Sequence, residues 1–218
     1  MVIITGLGRC GTSILMKYLK EVGFNIGKNV NWHDEVRAGY ELSTFYTIVD
    51  DLYHRYCKFG EPINLEDECL GTYWKGKSYK EAFSLIDNDD RQGKVDVVKD
   101  PRITWHPDII EAIWGIRKDI KLIICHRDIE SIYKSRKSLP IQYDDPKPRK
   151  SLMEYQVDFA EFYTRVLKLG IPYELMFFPD FLKDFEYLFF SLAKVELIHV
   201  YNKGYEVWEK LIDEDLLK

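Results

Sequence analysis

Along the chain, short apolar runs alternate with longer segments in which apolar residues recur every three or four positions. Runs of the first kind fill 2–5, 95–99, 121–126 and 173–178, with a weaker one near 24–26. Short apolar runs bounded by turn signals predict strands buried on both faces. In 12–21 the second pattern is clear, because Ile14, Leu15, Tyr18 and Leu19 share one helical face. It returns in 41–56, 78–86, 106–116, 129–136, 152–169 and 181–192. Strands alternating with helices predict an α/β fold, with a central parallel sheet of about five strands flanked by helices. The stretch 32–92 between the second and third strands reads as a helical insertion on the substrate side of a single domain, 1–218. Polar residues crowd 87–93, and 139–150 holds three prolines with mixed charge; both read as solvated connections.

Composition narrows the class. The 218 residues are 46% hydrophobic and 15% aromatic, enough for one domain with a sizeable core and too much for disorder. A net charge of −5 supplies no overall basic field to attract nucleic acid. Cys10, Cys57, Cys69 and Cys125 form no C-x-x-C pair, so neither a disulfide framework nor a zinc site is expected, and no metal site is assigned. With the first strand read at Val2, neither a leader nor a membrane anchor is expected, and the expectation is a cytoplasmic location without membrane association.

Between the first strand and first helix lies Gly6-Leu-Gly-Arg-Cys-Gly-Thr-Ser13. A glycine-rich turn from strand to helix aims backbone N–H groups at a phosphate. Gly6, Gly11 and Ser13 fit the P-loop spacing G-x-x-x-x-G-K-[ST], except that Thr12 stands at the lysine position and the cation sits three positions earlier as Arg9. Nucleoside triphosphate chemistry relies on that lysine; a phosphosulfate donor suits this loop better. A P-loop look-alike, a nucleotide-dependent phosphotransferase with a degenerate loop and a catalytically silent nucleotide binder stay open as alternatives. Cys10 reads as a small loop residue, with a thiol activated by the helix N-terminus and Arg9 as the other possibility.

Two further segments follow in order. In 121–136 a buried-type strand ends in Arg127, and the following helix carries Ser131 and Ser135 one turn apart behind a capping Asp128. In 95–102 a strand runs into Lys99-Asp-Pro-Arg102, where Pro101 forces Asp100 out of helical geometry. Lys99 and Arg102 read there as anion contacts, or as charges that merely pair with nearby acids. Together with the loop, these segments resemble the sulfotransferase family, whose 5′-phosphosulfate loop carries a Lys or Arg, a small residue, then Gly-Thr-[Ser/Thr]. The resemblance implies a three-layer fold like that of the P-loop NTPases. It also implies a donor, 3′-phosphoadenosine 5′-phosphosulfate, held by Gly8, Arg9, Cys10, Gly11, Thr12 and Ser13 at its 5′ end and by Arg127 and Ser135 at its 3′-phosphate. The acceptor would be a hydroxyl or amine of a small molecule or carbohydrate. The segment 173–184 resembles the family's passage from its last core strand to a helix, and Asn202-Lys-Gly204 only weakly resembles its late basic segment.

Catalytic roles follow partly from chemistry and partly from the resemblance. Sulfuryl transfer, like phosphoryl transfer, depends on positioning and charge stabilisation. Arg9 is assigned to the leaving oxygen and transferred group, with Lys99 as a second cation. The family's cytosolic members place a histidine after the third strand, where this chain has Asp100-Pro101. A glutamate beyond the loop, as in other members, makes Glu41 the first choice of base, ahead of Asp100, His33 and His106.

Overall fold

The computed structural model describes residues 1–28, 30–33, 38–57, 62–86, 94–137 and 151–215. Its elements in chain order are β1 (Val2–Thr5), α1 (Thr12–Val22), β2 (Val30–His33), β3 (Ala38–Leu42), α2 (Ser43–Leu52), α3 (Tyr79–Leu85), β4 (Val97–Lys99), α4 (Arg102–Trp105), α5 (Pro107–Ile116), β5 (Lys121–His126), α6 (Ile129–Lys137), α7 (Leu152–Leu169), β6 (Tyr173–Phe177), α8 (Asp180–Lys183), α9 (Phe185–Lys194) and α10 (Tyr201–Asp215). Among the described residues, four strands form an all-parallel sheet in the order β4-β1-β5-β6, and β2 and β3 form a separate antiparallel pair.

Helices cover both faces of the sheet, which is why its strands read as nearly continuous apolar runs. Ile3, Val98, Leu122 and Ile124 point into one core with residues of α2, α3, α5 and α7. Their neighbours Val2, Ile4, Val97, Ile123 and Cys125 point into the other, with residues of α1, α8, α9 and α10. Every one of these strand side chains is at most 5% exposed. Asp128 caps α6 as its sequence position predicts, accepting from the Ser131 N–H at 2.8 Å.

Several boundaries differ from the sequence reading. No strand forms at 24–26; instead Asn25 borders the start of β4, its carbonyl accepting from Asp96 N–H at 2.8 Å and its own N–H donating to Asp96 Oδ2 at 2.9 Å. The expected helical insertion, 32–92, overlaps the β2–β3 hairpin, which begins at Val30, as well as containing helices, and Glu41 stands in β3 rather than at a helix start. The stretch 181–192 divides into α8 and α9, and a further helix, α10, takes in Asn202-Lys-Gly204. α10 is fastened to α1 by Lys203 Nζ on the Val22 carbonyl at 2.8 Å, and His199 just before it meets the Tyr18 hydroxyl at 2.6 Å. The connections 87–93 and 139–150 lie outside the described residues.

The strand order places the site. The chain leaves β1 toward β4 on one side, whereas it leaves β5 toward β6 on the other. Open α/β sheets bind ligands at such a reversal, beyond the carboxyl ends of the strands. Here the two segments meeting at that point are 6–11 and Arg127-Asp128. Among the described residues, no helix is long and apolar enough to cross a membrane.

Candidate functional site

The loop between β1 and α1 turns on four residues of positive φ: Gly6 (156°), Gly8 (76°), Arg9 (58°) and Gly11 (84°). Gly11 is required twice over, by its left-handed backbone and because a Cβ there would lie 2.3 Å from Phe178 Cδ2. At Gly6 a Cβ would come within 2.4 Å of the Cys125 carbonyl oxygen and 2.5 Å of Cys10 Sγ. Arg9 holds the same left-handed region despite its side chain, a strained state that persists only where the surroundings impose it. No side chain caps the first turn of α1, which leaves its N-terminal dipole facing the loop.

Three guanidinium groups converge on this loop. Arg9 Nε donates to Ser135 Oγ at 3.1 Å, and Arg127 Nη1 donates to the Arg9 carbonyl at 3.2 Å. Residues from β1–α1, the end of β5 and α6, far apart in sequence, are thus brought together as expected. The third group was not foreseen: Arg136 Nη1 donates to the Leu7 carbonyl at 3.2 Å, and its guanidinium lies 4.5 Å from the Trp105 ring and 5.5 Å from that of Tyr155. Its signal in the sequence is slight, an arginine directly after Ser135 with Ile132 and Tyr133, not acids, one turn earlier. Burial holds Arg9 below the usual guanidinium range and Arg127 adds to the effect. Arg136 is lowered in the same way, with Tyr155 opposing and Arg9 contributing.

On the other side of the loop, Lys99 is buried at 2% exposure. Its ammonium contacts Glu41 Oε1 at 2.6 Å, Ser13 Oγ at 3.0 Å and the Gly39 carbonyl, one acceptor for each of its three protons. Ser13 Oγ also lies 3.3 Å from both the carbonyl and the N–H of Gly39. The hairpin can make these contacts because its register shifts between Asn31 and Trp32, which leaves Tyr40 as an extra residue at φ 66°. Such bulges re-aim side chains beside functional sites. Ser13, Glu41 and Lys99, assigned separately from sequence, therefore form one network.

Other assignments are corrected. Of the two readings of Arg102, pairing with nearby acids is the one the structure shows: its Nε and Nη2 bind the two oxygens of Asp100 at 3.0 and 2.6 Å, its Nη1 reaches Asp50, and its guanidinium lies 4.0 Å from the Tyr46 ring. Asp100 is fully buried with both oxygens engaged by this arginine, so its role is structural rather than that of a base open to substrate. His106 is buried between α4 and α5 with its ring against Tyr53, 4.6 Å between centroids. His33 ends β2, and its side chain lies outside the described part. Among the proposed bases whose side chains are described, Glu41 is the one that stands beside the loop.

Cys10 is fully buried, and burial pushes its thiol up to about 11 despite the lowering effect of the N–H groups of Gly8, Cys10 and Thr12 and of Lys99. This agrees with a small loop residue rather than a nucleophile. At pH 8 the folded protein should leave Cys10 unmodified by iodoacetamide while the urea-unfolded chain is alkylated, as read by peptide mass spectrometry. Equal rates in the two states would restore the reactive-thiol reading. Among the described residues, no cluster of three or more His, Cys, Asp or Glu could hold a metal ion.

Fold and site together define an α/β protein with a glycine-rich, arginine-lined loop at the reversal point of a parallel sheet. No family model matches the sequence, and no curated protein matches it.

Proposed function

We propose that this protein is a sulfotransferase of P-loop NTPase-like fold. It takes 3′-phosphoadenosine 5′-phosphosulfate as donor and a hydroxyl or amine of a small molecule or carbohydrate as acceptor, in the cytoplasm. The observation that carries this reading is the meeting of Arg9, Arg127 and Ser135 at the loop, where cations and a hydroxyl from two separate segments can grip two anionic groups of one ligand. The donor fits these residues, since guanidinium forks recognise phosphate and sulfate oxygens. A metal-dependent phosphotransferase is less well supported, because the Ser13 hydroxyl, which would ligate magnesium in a P-loop, sits against the Lys99 ammonium.

In this reading the loop from Gly8 to Ser13 and the N-terminus of α1 hold the 5′ end of the donor, and Arg127 with Ser135 holds the 3′-phosphate. When bound, the donor supplies the sulfuryl group. Arg9 is placed to stabilise charge on the leaving oxygen and, as a guanidinium, cannot act as a proton donor. Glu41 is held by Lys99 through Oε1, and Oε2 is the oxygen we assign to accept the acceptor's proton.

Calorimetry tests the reading directly. Adenosine 3′,5′-bisphosphate is expected to bind without magnesium and much more tightly than adenosine 5′-monophosphate or ATP. Arg127→Ala should weaken bisphosphate binding by about 1.5–3 kcal/mol, the scale of a hydrogen bond to a charged group, while leaving the unfolding midpoint in place. Equal affinities for the three nucleotides, or a strict magnesium requirement, would return the site to the phosphotransferase reading. Tight bisphosphate binding with no product in any acceptor screen would favour a silent binder.

A further inference from the structure

Two arginines hold the loop by alternate carbonyls, Arg136 at Leu7 and Arg127 at Arg9, both at 3.2 Å. The Leu7 carbonyl belongs to the peptide unit that enters Gly8, and glycine populates positive and negative φ about equally. That peptide can therefore turn over at little conformational cost unless something holds it. If it turned, the carbonyl oxygen would leave Arg136 and present its negative end on the other side of the loop. In the structure Gly8 has φ 76°, and a Cβ added to it would lie 3.5 Å from Arg136 Nη1 and 3.8 Å from Trp105 Cζ2. The loop's flexible joint is thus packed directly on the arginine and the ring beneath it.

Arg136 is itself fixed. Its guanidinium lies between the rings of Trp105 in α4 and Tyr155 in α7, at 4.5 and 5.5 Å, and a planar cation stacked on aromatic faces loses little further freedom when it donates. We propose that Arg136 is a positioning residue: it holds the Leu7–Gly8 peptide with its carbonyl turned away from the anion, keeping the loop in its binding conformation without touching the ligand. The inference rests on reading the loop as an anion site, but it needs neither a nucleotide nor a sulfuryl donor.

The test pairs Arg136→Met with Gly8→D-Ala, the latter introduced by ligating a synthetic peptide of residues 1–9 to a chain beginning at Cys10. A D-residue favours positive φ and blocks the turned-over state whether or not Arg136 is present. Binding of inorganic pyrophosphate, a probe that needs no adenosine pocket, is measured by calorimetry. Arg136→Met should lose affinity by about tenfold or more, whereas the same change made in the D-Ala protein should cost little affinity beyond that of the D-Ala protein itself. Arg136→Lys, which keeps a cation beside the rings, should fall between and serves if the methionine variant does not fold. Unchanged binding in Arg136→Met overturns the proposal, as does an equal loss when the change is made in the D-Ala protein, which would make Arg136 a direct ligand or a fold residue. A parent protein that fails to bind pyrophosphate overturns it too. Arg136-dependent pyrophosphate binding without bisphosphate binding would sink the sulfotransferase reading and leave this inference standing.

Discussion

Glu41→Gln is expected to destabilise the protein by about 3–5 kcal/mol, read as a lower urea midpoint at unchanged slope. Lys99 is only 2% exposed, and Glu41 supplies its sole anionic partner among the described contacts at 2.6 Å. Glutamine preserves the shape but removes the charge, leaving a buried ammonium with only neutral oxygens, those of Ser13, Gly39 and the new amide. Removing both charges is a different matter, since an apolar pair of similar volume avoids the desolvation of two ions. Glu41→Leu with Lys99→Met should therefore regain most of the lost stability. Under conditions where every variant is folded, general-base loss should slow turnover by about 10²–10⁴ in Glu41→Gln, and the stable double variant should be no faster. Stability recovers and activity does not, which separates the structural duty of the pair from the chemical one. Full activity in Glu41→Gln would move the base elsewhere, and an unshifted midpoint would mean that the pair does not form in solution.

What the sequence discloses and what it hides divide along physical lines. β1 and β5 are legible because strands buried on both faces must be apolar throughout, whereas β6 is an edge strand that carries Glu174 and exposes Phe177. The loop is legible because three closely spaced glycines between a strand and a helix mark positive-φ turns, although Gly6 and Gly11 also pack on Cys125 and Phe178 far along the chain. Arg127 and Ser135 are legible as a pair at one strand end and on one helix face. The β2–β3 hairpin is hidden. Its second strand contains Gly39 and a left-handed Tyr40, which break the period-two pattern, and what secures it is a lysine sixty positions away. Leu42, Phe45, Ile48, Val49 and Leu52 follow Glu41 with helical spacing, so the glutamate reads as the start of that helix when it is the end of a strand. Whether Lys99 at the end of β4 faces solvent or the interior is not encoded in β4 itself.

α10 is hidden for a related reason. Gly204 stands inside the helix, where a Cβ would meet His199 Nε2 at 2.4 Å and the Tyr18 hydroxyl at 2.8 Å. Glycine is present for close packing, a cause that only the tertiary structure reveals. Arg136 belongs to the same class, because its two aromatic neighbours and the carbonyl it holds come from three other parts of the chain.

Arg9→Gly should slow turnover by about 10²–10³, the effect of losing one preorganised charge-stabilising donor, without lowering the unfolding midpoint. The opposed outcomes follow from the backbone. At φ 58° an L-residue pays roughly 1–2 kcal/mol that glycine does not, which offsets the extra freedom glycine gains in the unfolded chain. Removing the side chain also takes away a cation that burial and Arg127 already disfavour. The hydrogen bond from Arg9 Nε to Ser135 Oγ is lost, but Ser135 keeps its place on α6. Single-turnover transfer of labelled sulfate to an acceptor found by screening, set beside thermal unfolding, reads both quantities in one protein. Unimpaired transfer would remove Arg9 from the chemistry and leave Arg127 as the next cation to replace. A large fall in midpoint would instead make Arg9 a strut of the loop, held in its strained conformation for the sake of the fold.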